Sequence, residues 1–283
     1  MTIMQAAPVR RARRAVLSLD EFVIGVGRLF RFLAAASVSA VRAARHYGAE
    51  MLRLVADMSL GSGALALIGG TVMITGFLTL FAGATVAVQG YSTLGNIGVD
   101  AMTGFLSAYV NIRVVVPVTA GIGLAATIGA STTAELGAMR ISEEIDALEV
   151  MAIRSMPYLV GTRLLAGMIT IAPIYAVALI FSFLSSRVVT VNVLGQSPGV
   201  YEHYFSTFLI PSDVLWSFLQ AIVMAFLVML ICTYYGYYAS GGPEGVGVAT
   251  GRAVRLSLIA VVTVTLVIAL VLYGSARELR LAG

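Results

Sequence analysis

A chain of 283 residues that is 59% hydrophobic and only 11% charged does not match soluble domains, which carry about a quarter charged residues. Its mean hydropathy is +0.95, and 18 basic and 14 acidic side chains are too few to clothe 29.7 kDa of folded protein. A soluble domain, a disordered chain and a fibrous repeat are all excluded. Because an unpaired backbone group costs several kcal/mol in hydrocarbon, the composition predicts an all-α integral membrane protein.

All 18 basic residues are arginine. With no lysine, the chain cannot be a P-loop NTPase, whose lysine reaches the β- and γ-phosphates, nor use Schiff-base chemistry. Cys232 sits in an apolar run and reads as a small buried hydrophobe. His46 and His203 fall on opposite sides of several predicted spans, so they cannot share a metal.

In chain order, residues 1–62 form the first unit. Nine arginines lie there, from Arg10 to Arg53. After the first arginine cluster, Asp20, Glu21, Arg28 and Arg31 break any apolar core, so the start does not read as a cleaved signal peptide. Leu19, Phe22, Val26, Phe30 and Leu33 fall at helical spacing, as do Val41, Ala44, Gly48, Met51, Val55 and Met58. These series predict one or two amphipathic helices, either lying in the cytoplasmic interface among anionic head groups or packed on a partner. A nucleic-acid role lacks any interleaved aromatic platform.

Residues 63–283 form the second unit. Charge-free windows cover 58–99, 114–134, 164–186, 214–243 and 256–276, and about 20 apolar residues cross the hydrocarbon core. The first window is too long, so Gly90 to Gly98 is taken as a far-side loop. Five spans are predicted, at about 64–89, 114–134, 164–186, 214–239 and 256–276. A cytoplasmic N-terminus puts 14 arginines inside, leaving Arg113, Arg187, Arg277 and Arg280 outside. The excess predicts a multi-pass protein of the plasma (inner) membrane with N-terminus in and C-terminus out. Trp216 and Tyr234, Tyr235, Tyr237 and Tyr238 sit at opposite ends of span four, as interface residues do.

The stretch 135–153, between spans two and three, holds five of the 14 acids: Glu135, Glu143, Glu144, Asp146 and Glu149. Ser142 is a suitable N-cap, and Glu143 and Glu144 suit the positive end of a helix dipole. Ile141, Ile145, Leu148 and Ala152 share one face. A solvated loop would leave that stripe against water. A helix with one apolar and one acidic face instead fits a groove on a cytoplasmic partner.

Within the spans, ionisable residues are nearly absent, which disfavours proton-coupled transport. Arg113 at the outer edge of span two, Asp100 before it, and Gln89 and Tyr91 near the same level are the exceptions. Gly121, Ala125, Gly129 and Thr133 make a stripe of small residues in span two. It predicts close helix packing, against span one or three or against another subunit. No Gly-x-Ser-x-Gly elbow occurs, no histidine is placed as a base, and Glu143 and Glu144 point about 100° apart on a helix. Catalysis within the chain is not expected.

The sequence resembles the MlaE/YrbE permease family, membrane subunits of ABC lipid transporters that work with MCE-domain proteins. The residues carrying the resemblance are Gln89-Gly90-Tyr91, Arg113 with Pro117, and the run from Ala134-Glu135-Leu136-Gly137 through Met139-Arg140 to Glu143-Glu144-Ile145-Asp146-Ala147-Leu148 and Met151. The resemblance implies a membrane-laid N-terminal helix, five spans and a coupling helix between spans two and three that enters a cleft of a separate cytoplasmic ATPase. By resemblance, Glu135, Arg140, Glu143, Glu144, Asp146 and Leu148 belong to that coupling segment. Gln89, Tyr91 and Arg113 match positions near a lipid cavity shared by two permeases. ATP and magnesium would sit on the ATPase, with no cofactor on this chain.

Two departures stand out. Val114 follows Arg113 where relatives often have glutamate, and Ala125-Ala126-Thr127-Ile128-Gly129 replaces an Ala-Gly-Arg-x-Gly run. Both remove charges, which suggests the divergent half of a heterodimer, as in actinobacterial Mce systems with two adjacent permeases. The expected function is ATP-driven import of hydrophobic lipids (fatty or mycolic acids, or sterols), with MCE-domain proteins on the outer side. A non-transporting scaffold for an MCE assembly is the alternative, and a secondary transporter a third reading.

Overall fold

The computed structural model describes residues 27, 31–60 and 70–272. The arginine cluster Arg10 to Arg14, the apolar positions Leu19, Phe22, Val26 and Phe30, residues 64–69 of span one, and Arg277 and Arg280 lie outside the described residues. Among the described residues every regular element is helical. They are α1 (31–46), α2 (Gly48–Leu60), α3 (Thr71–Gly95), α4 (Asp100–Ile141), α5 (Glu144–Val150), α6 (Met156–Val193), α7 (Pro198–Phe208), α8 (Pro211–Tyr237) and α9 (Gly242–Leu272). Five of these, α3, α4, α6, α8 and α9, are long and apolar enough to cross a membrane.

The spans differ from the predicted windows mainly in length. α4 runs for 42 residues, roughly 63 Å at 1.5 Å per residue, about twice the hydrocarbon thickness. The stretch Gly90 to Gly95, predicted as loop, continues α3, and only residues 96–99 turn the chain. Glycine and small polar residues are ordinary inside membrane helices, so they were poor loop signals here. Gly98 at φ +73° makes the turn itself.

Two five-residue π-turns interrupt α4, at Asn111–Val115 and Ala125–Gly129. The first ends two residues before Pro117. A proline lacks an N–H and its ring crowds the carbonyl four residues back, and a wider turn relieves both problems without breaking the helix. Pro157 is handled the same way, inside the π-turn Met156–Gly161 that opens α6.

The buried face of α3 is small: Thr71, Thr75, Gly76, Thr79, Gly83, Ala87 and Gly90. Its large side chains point outward, with Phe77 52% and Phe81 68% exposed. That inside-out pattern is what lipid demands, since tails are as apolar as leucine and association rests on close backbone contact. Gly83 meets α6 so closely that a Cβ would stand 2.6 Å from the carbonyl oxygen of Ser182. There the Ser186 hydroxyl donates to the Gly83 carbonyl at 2.9 Å and Ser185 donates to that of Leu80.

The N-terminal helices pack on the α5 end of the bundle. Phe32, Ala36, Ala40 and Ala43 form the buried stripe of α1, while Val41 is 58% exposed. The predicted series from Val41 to Met58 therefore straddles two helices separated at Tyr47 and is not one face. Phe32 lies edge-on to Tyr234 at 5.2 Å and to Tyr238 at 5.8 Å.

Gly83→Val should lower stability by more than ~2 kcal/mol, because overpacking against backbone cannot be relieved by a rotamer change. Phe81→Ala should leave it near that of the parent. Thermal unfolding of both variants in one detergent checks the pair; equal midpoints would refute the α3–α6 contact.

Candidate functional site

The segment between spans two and three is built as a pinned hairpin. α4 extends to Ile141, so Glu135 and Arg140 belong to the end of span two rather than to a separate helix. After Ser142 and Glu143, α5 makes under two turns. Glu143 at φ 61° and Ala152 at φ 60° bracket it in the left-handed region, each at a cost of order 1 kcal/mol for a non-glycine residue.

Four contacts hold the hairpin. Ile145 is 1% exposed and packs with Leu136 and Leu159 in a small core that Met139, Leu148, Tyr158 and Tyr237 flank. Arg140 pairs with Asp146 at 2.8 Å, both exposed. The Ser155 hydroxyl donates to Glu149 at 2.7 Å and lies 2.9 Å from the Tyr237 hydroxyl, tying the loop to α8. Glu135 meets Arg163 of α6 at 3.4 Å.

Two expectations change accordingly. Ser142 does not cap α5; its hydroxyl donates to the Ala138 carbonyl at 3.0 Å and lies 2.9 Å from a Glu144 carboxylate oxygen. Of the predicted stripe, Ile145 and Leu148 face the protein's own core, while Ile141 and Ala152 are exposed. The outward surface consists of Glu143, Glu144, Asp146 and Glu149 around Val150, 88% exposed, and Met151, 62% exposed. Helical spacing hid Val150 and Met151, because it treats as one long helix a segment that turns at each end.

At the other end of the bundle, Arg113, expected at the outer edge of span two, lies well inside α4, because Asp100, expected in the preceding loop, begins that helix. Its Nε and Nη2 donate to Oδ2 of Asp213, in the first turn of α8, at 3.0 and 2.7 Å. The two side chains are only 10% and 13% exposed. The guanidinium carbon also stands 4.0 Å from the centre of the Tyr109 ring, within cation–π range. The Ser217 hydroxyl donates to the carbonyl of Ile112, so α8 grips the first π-turn twice. Asp213 is a site residue that the sequence did not single out. The signal was its position at the outer end of span four, level with Arg113, although 100 residues separate them.

Gln89 is exposed and Tyr91 half-buried on α3, an environment unlike that of Arg113. The small stripe of α4 packs within the chain, against spans four and five rather than one or three. A Cβ on Gly121 would touch Val261 of α9 and Met224 of α8, and one on Gly129 would stand 2.8 Å from Cys232 Sγ. Ala125 between them is fully buried. Cys232 is buried, as its apolar surroundings predicted.

Asp213→Leu should destabilise the protein by about 3 kcal/mol, because it removes the carboxylate paired with a largely buried guanidinium. Changing both Arg113 and Asp213 to leucine should recover most of that loss. A double-mutant cycle by thermal unfolding measures the coupling; additive effects would mean that the pair contributes nothing.

Comparison with known proteins places this architecture. The family model described as Permease MlaE matches residues 61–271. A probable ABC transporter permease protein of Rickettsia bellii is 32% identical over 176 residues, covering 62% of this chain and 68% of the relative. The intermembrane phospholipid transport system permease protein MlaE of Haemophilus influenzae is 26% identical over 197 residues, 69% of this chain and 76% of that one. The chloroplastic protein TRIGALACTOSYLDIACYLGLYCEROL 1 of Arabidopsis thaliana is 26% identical over 181 residues, 64% of this chain and 52% of its own length. With all five candidate spans inside the matched segment, this chain belongs to the MlaE permease family.

Proposed function

We propose that this chain is the permease subunit of an ATP-driven lipid transporter and that the α5 hairpin docks on a separate cytoplasmic ATPase. The observation carrying this reading is the outward rim of Glu143, Glu144, Asp146 and Glu149 around the exposed Val150 and Met151. An apolar knob inside a polar rim has the layout of a protein–protein interface. Its fixed attachment to α4, α6 and α8 lets a push on the knob reach three spans.

The arginine distribution supports a plasma-membrane orientation with α5 in the cytoplasm and α7 outside. The name of the Haemophilus relative supports a phospholipid or similar acyl lipid as cargo. A buried acyl CH₂ contributes about 0.8 kcal/mol, so an apolar path suffices for the tails. In this reading Gln89 and Tyr91 meet lipid directly, while Arg113 is a shared charge that a head group reaches only by competing with Asp213. Fatty or mycolic acids or sterols are the finer candidates, with a second permease beside this one and MCE-domain proteins on the α7 side. Val114 and the uncharged run from Ala125 to Gly129 favour a homologous partner over a second copy.

Val150→Glu combined with Met151→Glu should reduce co-purifying ATPase and lipid-dependent ATP hydrolysis at least about tenfold, the effect of losing ~1.4 kcal/mol. Both side chains are exposed, so the unfolding midpoint of the permease should not move. Undiminished ATPase capture by the folded double variant would reject the docking surface.

A further inference from the structure

At the α5 end, α8 and α9 are joined by a tight turn in which Gly241 and Gly242 have φ +93° and +70°. Beneath it lies a cavity of about 510 Å³, walled by Tyr234, Tyr235 and Tyr238 on one side and by Glu244 and Arg252 of α9 on the other. The tyrosine rings meet steeply, Tyr234 and Tyr235 at 89° and Tyr234 and Tyr238 at 58°. They form a corner of ring faces and edges, not a stacked slab.

Glu244 and Arg252 carry opposite charges into one cavity, yet neither has an ion-pair partner among the described residues. Eight residues of helix separate them, roughly 12 Å of rise. Two opposite charges that face a common space without meeting match a ligand that bears both signs. Burial, then the neighbouring Tyr237 and Tyr234, push the Tyr238 hydroxyl above its ordinary range, against the pull of Arg31 and Arg140. It therefore remains a neutral hydrogen-bond donor at neutral pH.

Position selects the ligand further. Tyrosines at the end of a span seat at the head-group level of a bilayer. A second cavity of about 610 Å³ shares Tyr234 and Tyr238 and is lined by Phe32, Ala35 and Met156 with Arg31, giving a neighbour richer in aromatic and aliphatic surface.

We propose that the α8–α9 cavity binds the zwitterionic head group of a phospholipid from the adjoining leaflet, with its ammonium on Glu244 and the tyrosine rings and its phosphate on Arg252. An ammonium beside aromatic faces gains cation–π attraction, and a guanidinium holds phosphate through paired N–H donors. This site lies at the opposite end of the bundle from Arg113. It depends on the bilayer setting alone and not on ATPase docking.

The test titrates purified full-length protein in detergent with phosphatidylethanolamine, phosphatidylglycerol, phosphorylethanolamine and inorganic phosphate, read by thermal shift. Phosphatidylethanolamine should half-saturate at about tenfold lower concentration than phosphatidylglycerol. Glu244→Gln should erase that preference by weakening the ethanolamine lipid alone, and Arg252→Gln should weaken both lipids about tenfold. Both residues are exposed, and the unliganded midpoint of each variant reports its folding. Equal affinity for the two lipids, or a preference that survives Glu244→Gln, would overturn the proposal. Saturation by phosphorylethanolamine or inorganic phosphate at the same concentration as by lipid would also overturn it, assigning the cavity to a soluble anion. A photo-crosslinker at Tyr235 should capture lipid; capture of residues 1–26 of the same chain instead would show that the protein fills its own cavity.

Discussion

Inside a bilayer, water does not push helices together, so everything here rests on how closely backbones approach. α3 and α6 meet through Gly76 and Gly83, α4 and α8 through Gly129 and Gly236, and α1 meets the start of α6 at Gly161, where a Cβ would lie 2.6 Å from the Ser39 carbonyl oxygen. The first two approaches place small hydroxyl side chains within reach of a neighbouring carbonyl, as Ser186 does with Gly83 at 2.9 Å and Thr133 with Cys232 at 3.1 Å. Leu124, Leu164, Ile171, Met224 and Met229 fill the space between these contacts, and other large apolar residues face outward, as Ile259, Val262, Leu266 and Leu270 do on α9. Dispersion between touching backbones and these few hydrogen bonds replaces the hydrophobic drive of a soluble core.

The charged groups are arranged around that frame at its two ends. At one end, Arg113 and Asp213 neutralise each other where α4 and α8 cross, with Tyr109 against the guanidinium. At the other, Arg140 and Asp146, Glu135 and Arg163, and the chain of Glu149, Ser155 and Tyr237 lock a short acidic helix to the bundle. The family implies an ATPase partner, and the docking proposed above would seat it at this second end.

Much of this was legible in the residues. The count and order of the spans came from where charges are missing, since burying an arginine in hydrocarbon is costly and its absence is conspicuous. The acidic hairpin was visible as a local excess of carboxylates against a basic background. The hidden features depend on long-range geometry. Charge-free windows mark the hydrocarbon slab, not where a helix stops, so α4 was read as about half its true length. The pairing of Arg113 with Asp213 joins positions 100 apart in sequence. The inward turn of Ile145 and Leu148 comes from the left-handed breaks at Glu143 and Ala152, which alternating polarity cannot reveal.

α4 carries features of both ends on one continuous helix, with two π-turns but no loop between them. Arg113 and Arg140 are 27 residues apart, roughly 40 Å along the axis, so a tilt imposed at the hairpin arrives at the salt-linked end as a comparable swing. The two π-turns are the points where such a lever can twist by changing its hydrogen-bond register, while the stretch between them stays stiff. A loop-linked pair of helices would dissipate such a displacement, whereas a continuous helix would carry it along its axis.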